Sequence, residues 1–514
     1  MRRRVVHEVL RRAAKLFPEA KVVDPEGRTP YAAAYERALR LADTLYKEGL
    51  RPGQVVGVLG ANSRAFFELH YALSLLGAVI HPLNFRLPAE VLAYTAEAAG
   101  DRWLFFDPAF APLAEALGVE RALDLEGEFE ALIAAGAPTS PPPAADVRED
   151  DVYTVFFTTG TTGRPKGMRY RHKDILGASF AILHHLALHP GGAHLGAGDV
   201  IMPLIPFFHI HAWGTAFFAP YLGARLVLSG RGGPKEQLAL IQEEGVTWMN
   251  MVPTQLHLLL EAAGEAPLPL KVLTGGSPLP RGLARRAWDR GVRFSLIYGG
   301  SDQLATAISA LSPDLDPESE AARDELSTWV FPVPMALVEG KDKAGRPVSR
   351  DGRSLGEVVV QAPWLPPEGY LKDPERTRAA YRPDGFHSGD LAVFRPDGRF
   401  YVVDREKDAI KSGGEWIPSA VVEAVLSEHP EVAQVAVLAM PDERWGERPL
   451  AVIEPRPGTT PNEESLRAHL EKAARAGRIA RYWIPDRFVL VEAIPLTSAG
   501  KLHKAELRRR LGLG

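Results

Sequence analysis

The chain has 514 residues, of which 46% are hydrophobic and 24% are charged, and its formal net charge at pH 7 is −4. This length exceeds one compact core, so we expect a globular protein of two or more domains. The slightly negative charge argues against a general nucleic-acid-binding surface. The absence of cysteine excludes disulfides, thiolate catalysis and cysteine-ligated zinc.

The N-terminus is basic over residues 1–4, but no apolar stretch follows it. Residues 9–17 have the spacing of an amphipathic helix, so we expect no signal peptide and a cytoplasmic location. Residues 200–224 contain no Lys, Arg, Asp or Glu, and a charge-free run of that length is formally a membrane-span candidate. Because it contains prolines and histidines, we interpret it as a buried strand, a turn carrying site residues and a core helix. No transmembrane segment is predicted, and peripheral membrane contact stays open.

Strand-like and helix-like stretches alternate along the chain, which predicts an α/β architecture. Residues 51–59 and 78–82 favour strands, and residues 63–76 favour the helix between them. A Pro- and Ala-rich connector at 136–145 precedes a β-branched and aromatic stretch at 152–157, which we interpret as a buried strand.

A charged stretch begins after residue 403, and a second set of elements follows it. The patterns there predict helices at 420–427 and 463–476 and strands at 433–439 and 488–491. Together these elements indicate a small α+β domain of about 110 residues.

The most distinctive segment is the Gly- and Thr-rich run at 158–167, which contains four threonines, three glycines and Lys166. Glycines let backbone N–H groups approach an anion closely. The hydroxyls and the lysine add donors and positive charge, which suits the terminal phosphates of a nucleotide. The run is not a Walker A loop, because Lys166 is followed by glycine rather than by Ser or Thr.

Further short motifs follow in a fixed order. They are PFFH at 206–209, GGSPLP at 275–280, YGGSD at 298–302, SGD at 388–390, DREKD at 404–408, KSGGEWI at 411–417 and PLTSAGK at 495–501. With the Thr-rich loop they resemble the motifs of the adenylate-forming enzymes: acyl-CoA synthetases, adenylation domains and firefly-type luciferases. The GGEWI form is similar to that of the medium- and long-chain fatty acyl-CoA ligases.

The resemblance implies an α/β fold with a large multi-subdomain N-terminal domain at 1–403. A small mobile α+β lid would follow at 404–514, with its hinge near Lys407. The reaction implied is that of an acyl-CoA ligase. A carboxylate attacks the α-phosphorus of ATP to give acyl-AMP and pyrophosphate, and the thiol of coenzyme A then takes the acyl group and releases AMP. ATP, Mg²⁺ and coenzyme A are implied as cofactors and co-substrates, and a homodimer stays open.

The same resemblance implies roles for individual residues. Lys501 would reach the α-phosphate and the substrate carboxylate. Asp302, where the family normally has Glu, would bind Mg²⁺, and Ser301 replaces the usual Thr. Asp390 would accept hydrogen bonds from the ribose hydroxyls, and Arg405 would add a nearby cation. The remaining nucleotide-binding residues implied are Thr158, Thr159, Gly160, Thr161, Thr162, Gly163, Lys166, Gly275, Gly276, Ser277, Tyr298 and Gly299.

His209 and Trp213, four residues apart on the charge-free segment, fall close to where the family places the acyl group. His209 would act near the carboxylate, and Trp213 would line or gate an apolar tunnel, with plain core packing as the competing interpretation. Tyr298 either stacks on adenine or is a core tyrosine, and Lys407 is either a hinge or a solvated charge. A histidine cluster remains, for which we favour a partly exposed helix face over a metal site: His184, His185, His189 and His194.

We therefore expect an ATP-dependent acyl-CoA ligase acting on a medium- or long-chain fatty acid. One alternative on the same scaffold activates an aryl or short acid, or loads a carrier protein. Another is a non-catalytic nucleotide- or acyl-binding regulatory protein, for which Ser301 and Asp302 are the only support.

Overall fold

The computed structural model describes residues 3–138, 146–158, 164–406, 409–413, 415–496 and 502–513. Helices and strands alternate through most of this part of the chain, which confirms the α/β class. The helices are α1 (His7–Leu16), α2 (Tyr31–Lys47), α3 (Arg64–Leu76), α4 (Ala89–Ala99), α5 (Ala111–Ala116), α6 (Gly127–Ala135), α7 (His172–Leu188), α8 (Ile210–Trp213), α9 (Thr215–Leu222), α10 (Pro234–Glu244), α11 (Pro253–Ala263), α12 (Arg281–Asp289), α13 (Glu320–Leu326), α14 (Pro374–Ala380), α15 (Ser419–Leu426), α16 (Glu463–Arg475) and α17 (Lys504–Arg510).

Within the same residues the strands form four sheets. In chain order the strands are β1 (Lys21–Asp24), β2 (Gly27–Pro30), β3 (Val55–Leu59), β4 (Val79–Pro82), β5 (Asp101–Phe106), β6 (Arg121–Asp124), β7 (Val152–Thr158), β8 (Lys166–Arg171), β9 (Val200–Pro203), β10 (Arg225–Val227), β11 (Trp248–Met251), β12 (Lys271–Gly275), β13 (Arg293–Gly300), β14 (Leu304–Ile308), β15 (Phe331–Pro332), β16 (Leu337–Lys341), β17 (Leu355–Gln361), β18 (Tyr381–Arg382), β19 (Gly385–Phe394), β20 (Phe400–Arg405), β21 (Ile410–Ser412), β22 (Glu415–Ile417), β23 (Val432–Asp442), β24 (Gly446–Pro455) and β25 (Arg487–Leu490).

Two large sheets form the main part of the molecule. The nine-stranded sheet has the order β15-β14-β13-β12-β11-β9-β10-β1-β2, and the six-stranded sheet has the order β6-β5-β3-β4-β7-β8. A smaller sheet runs β16-β17-β19-β18, with β20 paired to β19. The last sheet runs β22-β21-β24-β23, with β25 paired to β24.

Helix α3 lies at the centre of the largest hydrophobic core, where every residue from Phe66 to Leu76 is buried. Ser63 begins the helix by accepting a hydrogen bond from the Phe66 N–H at 3.2 Å. Gly77 ends it in the left-handed region at φ 74°. A helix buried on all sides is hydrophobic on all sides, and its one buried carboxylate, Glu68, is paired with the Arg37 guanidinium at 2.7 Å.

The C-terminal sheet is covered on both faces because its strands alternate strictly. Val435 and Val437 pack with the helices α15 and α16, whereas Ala436 and Leu438 face α17 through Leu507. Period-two alternation of this kind is what a two-faced strand requires. These elements confirm the small α+β unit predicted from the sequence. The boundary at residue 403 stays a prediction, and the hinge residue Lys407 lies outside the described residues.

The other predicted elements are confirmed to within a few residues. The strand expected at 51–59 begins later, at Val55, because residues 51–54 form a turn ahead of it. The charge-free segment at 200–224 becomes β9, a turn and α9, as predicted. Among the described residues, no helix is long and apolar enough to cross a membrane.

Several histidines are buried in this core, and burial lowers the pKa of the imidazoles of His70, His172, His185 and His211. The pKa of His70 falls to about 4, and those of His172 and His185 fall to about 3. Neither ring nitrogen of His185 has a hydrogen bond of ordinary geometry within the described part of the chain. We predicted that the histidine cluster lies on a partly exposed helix face. This prediction is correct for His184, which is exposed, and wrong for His185, which is 1% exposed.

These histidines should make the fold acid-labile. Between about pH 6.5 and 4 the unfolded chain binds protons that the folded chain does not, so stability falls as the pH falls. Each such group contributes up to roughly 1.4 kcal/mol per pH unit. We expect His185→Leu to flatten the pH dependence of the unfolding free energy by about that amount. The measurement is urea unfolding at pH 7, 6 and 5, with His184→Leu as the exposed control, and a slope equal to that of the wild type would contradict the assignment.

Candidate active site

Most of the residues that the sequence analysis selected line one cavity of about 1050 Å³. It opens beside the ends of β9, β11, β12 and β13 and is closed on its other side by β19, β20, α15 and α17. The predicted residues that line it are Thr158, Lys166, His209, Trp213, Gly276, Ser277, Tyr298, Gly299, Ser301, Asp302, Asp390 and Arg405.

Some predicted residues lie elsewhere. Gly275 is not in the cavity wall; it ends β12, where an added Cβ would lie 2.2 Å from the Ile297 carbonyl oxygen of the neighbouring strand. Its glycine is therefore required by the close approach of two strands. Seven others lie outside the described residues: Thr159, Gly160, Thr161, Thr162, Gly163, Lys407 and Lys501.

The carboxylate of Asp302 is held at one end of the cavity by two groups. Its Oδ2 accepts a hydrogen bond from the Tyr370 hydroxyl at 2.6 Å and lies 3.4 Å from Lys166 Nζ. Lys166 also donates to the Tyr370 hydroxyl at 2.9 Å. The backbone beside it is fixed by two further tyrosines: Tyr381 donates to the Asp302 carbonyl at 2.7 Å, and Tyr170 donates to the Ser301 carbonyl.

Tyr370 was missed by the sequence analysis. It forms an isolated β-bridge with Met168 shortly before α14 and belongs to none of the motifs, so only the fold brings it to Lys166 and Asp302. Burial and the nearby Asp302 carboxylate raise the pKa of Tyr370, so its hydroxyl remains a donor. The same end of the cavity contains the Thr158 hydroxyl, which is buried without a hydrogen-bond partner among the described residues.

Asp390 is fixed from two directions in the middle of the cavity wall. Its Oδ2 accepts a hydrogen bond from the Tyr298 hydroxyl at 2.7 Å, and its Oδ1 lies 3.3 Å from Arg405 Nε. The Ser388 hydroxyl accepts a hydrogen bond from the Asp390 N–H at 3.0 Å and donates to the Val358 carbonyl at 2.8 Å. A buried carboxylate with these partners is a preorganised acceptor.

Tyr298 is packed as the core interpretation expects and also lines the cavity, while its stacking on adenine stays a prediction. Its hydroxyl binds Asp390, its ring packs edge-on against Phe400 at 5.7 Å between centroids, and it also lines the cavity. Burial is the main cause of the raised pKa of this tyrosine, followed by the Asp390 carboxylate.

The apolar end of the cavity is bounded by α7 and by a turn of unusual handedness. Residues 210–213 all have positive φ, from 44° to 56°, although none is glycine. A left-handed turn costs an L-residue about 1–2 kcal/mol, so the surroundings must hold this one in place. The side chains on this end are Ala178, Ser179, Ile182, Ile205, His209, Ile210 and Trp213.

Hydrogen bonds from three elements hold the left-handed turn. Asn250 of β11 donates to the Ala212 carbonyl at 2.8 Å, and the Thr215 hydroxyl donates to the same oxygen at 3.0 Å. Asn62 accepts from the Phe207 N–H at 2.8 Å, just before the turn. Gly214 ends the turn at φ 87°, and a Cβ there would lie 2.9 Å from the Ser179 Cβ.

The structure gives no support to a metal site at the histidine cluster. In the part of the chain that the structure describes, no three His, Cys, Asp or Glu side chains lie together in a way that could hold a metal ion. A cation at Asp302 would therefore take further oxygen ligands, for which a substrate or water is suited.

Comparison with known proteins places these features in context. Residues 10–371 match the family model of AMP-binding enzymes, and residues 421–501 match the model of the AMP-binding enzyme C-terminal domain. The long-chain-fatty-acid–CoA ligase of Thermus thermophilus is 38% identical, over 98% of this chain and 95% of the relative. The feruloyl-CoA synthase of an Amycolatopsis species is 33% identical, over 98% of both chains.

Solved structures of the same fold are also similar. The amide bond synthetase McbA from Marinactinospora thermotolerans superimposes with a TM-score of 0.82 at 26% identity, covering 98% of this chain and 99% of that one. The anthranilate CoA ligase AuaEII, solved with anthranoyl-AMP, gives a TM-score of 0.84 at 23% identity, covering 98% and 97%. The latter likeness concerns the fold alone.

The left-handed turn gives a test of the apolar end of the cavity. Gly214→Ala forces a Cβ into the left-handed region and against Ser179, so we expect the unfolding free energy to fall by about 1–2 kcal/mol or more. Gly177→Ala is the matched control, because its Cβ would meet Trp364 at 3.7 Å, an ordinary contact inside α7. That variant should be about 0.5–1 kcal/mol more stable than the wild type. Equal stabilities of the two variants in urea unfolding would mean that the turn is not strained.

Proposed function

Because this chain belongs to the AMP-binding enzyme family and is an adenylate-forming acyl-CoA ligase, we propose that it activates a medium- or long-chain fatty acid. The relatives named above act on fatty and on aromatic acids, so family membership alone leaves the acid undecided. The choice rests on the apolar end of the cavity.

The observation that carries the proposal is the wall formed by α7 and the left-handed turn. Its side chains are aliphatic or aromatic apart from Ser179 and His209. The Ser179 hydroxyl already donates a hydrogen bond to the Ile175 carbonyl at 2.7 Å. Apart from His209, which we place near the acid carboxylate, this wall offers contact to an aliphatic tail and no hydrogen-bond partner to a polar substituent. Each methylene that it buries should contribute about 0.8 kcal/mol.

We assign the polar end of the same cavity to ATP. Asp390 would accept the ribose hydroxyls, with Tyr298 and Arg405 holding its carboxylate in place. Lys166, the Thr158 hydroxyl and the Thr-rich loop that follows would contact the β- and γ-phosphates, where charge is concentrated. Lys501 would serve the α-phosphate and the acid carboxylate. Its neighbour in the chain, Leu502, lines the cavity, which supports this role.

Mg²⁺ fits the residues beside Lys166. A hard cation prefers carboxylate oxygen and in nucleotide sites is usually held by one or two carboxylates together with substrate phosphates. Asp302 supplies one carboxylate, and its Oδ2 is already engaged by Tyr370 and Lys166. Such an ion would neutralise charge on the phosphates while Asp302 orients it.

The small C-terminal unit would act as the lid of the proposed site. The Ser427 hydroxyl accepts a hydrogen bond from the Gly282 N–H at 3.5 Å, and Gly282 lies just after the GGSPLP motif. We propose that residues 404–514 move as this lid about a hinge near Lys407. A homodimer is a further proposal, on which nothing above depends.

A series of straight-chain acids tests the choice of substrate. We expect kcat/KM, measured by pyrophosphate release, to rise with acid length and to fall beyond a cutoff. Trp213→Ala should shift the cutoff to longer acids by removing an indole from the wall, with a change of about 10–200-fold for the first excluded acid. Trp329→Ala is the control, because its ring stacks on Arg395 outside the cavity. Preference for benzoate-like acids, with no response to aliphatic length, would favour the aryl-acid alternative.

The metal assignment has its own test. Asp302→Ala should lower the rate of acyl-AMP formation about 10²–10³-fold and raise the Mg²⁺ concentration needed for half-maximal rate, because a cation loses its carboxylate. Asp302→Glu restores the carboxylate that is usual in the family and should keep most of the activity. Asp342→Asn, at a half-buried carboxylate that is paired with Arg346 and does not line the cavity, is the control. An unchanged Mg²⁺ titration in Asp302→Ala would show that Asp302 is not a metal ligand.

A further inference from the structure

Two buried histidines link the left-handed turn to α3, and neither of them lines the cavity. His70 is in α3 and His211 is in the turn, and both are fully buried. The His70 Nε2 lies 2.8 Å from the His211 Nδ1. Their rings are enclosed by aromatic side chains, with Phe156 4.8 Å and Phe217 5.3 Å from the His211 ring between centroids.

The hydrogen bonds fix which nitrogens carry protons. His70 Nδ1 lies 2.7 Å from the Phe66 carbonyl oxygen, which can only accept, so this nitrogen carries the proton. Burial lowers the pKa of His70 to about 4, so the ring is neutral and its Nε2 is an acceptor. His211 therefore donates its Nδ1–H to His70, and its own Nε2 is a buried acceptor without a partner among the described residues.

This bond joins a rigid element to a strained one. Helix α3 is buried over its whole length from Phe66, whereas the turn that contains His211 has four consecutive non-glycine residues at positive φ. Residues on either side of His211 line the cavity, among them Ile210 and Trp213, but His211 itself does not. The pair is thus placed to fix the position of the cavity wall without touching a substrate.

We propose that His70 and His211 are positioning residues that set acyl-chain selectivity by anchoring the left-handed turn to α3. The proposal rests on the fatty-acid ligase activity proposed above. The bonds of Asn250 and Thr215 to the Ala212 carbonyl hold the turn by its backbone, while the histidine pair holds it by a side chain. When that bond is lost, the turn can relax and Trp213 no longer has one fixed position. The enzyme then discriminates less between acids on either side of the chain-length cutoff.

Matched variants separate the hydrogen bond from the bulk of the ring. His211→Phe keeps an aromatic ring but removes the donor, and His70→Met removes the acceptor without changing the sequence of the turn. His211→Asn retains an N–H close to the position of Nδ1 and should rescue the bond. His429→Phe, at a buried histidine of the C-terminal unit that bonds Ser465, controls for general loss of stability.

The readout is the ratio of kcat/KM between the best straight-chain acid and the first acid beyond the wild-type cutoff. We expect His211→Phe and His70→Met to lower this ratio about tenfold, since an unsatisfied buried partner is worth about that factor. The change should appear in KM for the acid, while KM for ATP stays within about twofold. His211→Asn and His429→Phe should keep the wild-type ratio, whatever their melting temperatures.

Several results would overturn the inference. One is an unchanged ratio in folded His211→Phe or His70→Met, since the pair would then be merely structural. Another is a ratio in His211→Asn as low as in His211→Phe, which would remove the hydrogen bond from the account. If His211→Phe does not fold, His70→Met decides. A wild type without any ordered response to chain length would refute the proposed substrate and this inference with it, whereas an ordered wild-type response with unchanged variants would refute the inference alone.

Discussion

The parallel pairing of β9, β11, β12 and β13 is the constraint on which the rest of the site depends. These neighbouring strands all run in the same direction, so their carboxyl ends meet at one edge of the nine-stranded sheet. Segments that are far apart in the chain, at 204–214, 252–254, 276–280 and 301–303, leave the sheet at this edge and form the cavity wall. Ligand sites of open α/β sheets lie outside the carboxyl ends of the strands for this reason.

This constraint explains how much of the site the sequence could predict. Gly276 and Asp302 follow β12 and β13, and Tyr298 lies near the end of β13, but the sequence analysis located all three from their short motifs and not from predicted strands. Asp390 was recognised from its short motif, although its strand lies in another sheet. What the motifs could not predict is the contact between sheets, through which Tyr298 reaches Asp390 at 2.7 Å.

The residues that the sequence analysis missed reach the site only through tertiary contacts. Tyr370 and His70 belong to no motif. Tyr370 contacts the predicted residue Asp302 from a distant part of the chain, whereas His70 contacts His211, which the sequence analysis did not select. The handedness of the turn was also beyond the sequence, because residues 210–213 contain no glycine to indicate positive φ. Tertiary contacts impose that conformation, and the local propensities of residues 210–213 do not indicate those contacts.

The pairing of Asp302 with Lys166 bears on the order of events at the polar end. Before phosphates arrive, the two side chains and the Tyr370 hydroxyl form a closed set in which positive and negative charge balance. A cation bound to Asp302 would replace the positive charge of Lys166, and a phosphate bound to Lys166 would replace the negative charge of Asp302. With the proposed ligands, the site would keep its charge balance only if metal and phosphates entered together, as in a metal–nucleotide complex.

The two ends of the cavity differ in what holds them rigid. The polar end is fixed by hydrogen bonds among its own side chains, some of them from tyrosines such as Tyr170 and Tyr370 whose rings belong to the large hydrophobic core. The apolar end is a strained turn that is kept in place by groups on its far side, through Asn250, Thr215 and His211. Changes in the core behind the turn can therefore alter which acid fits without altering how the nucleotide is held. On the same scaffold, evolution could change the acid through residues that never touch it.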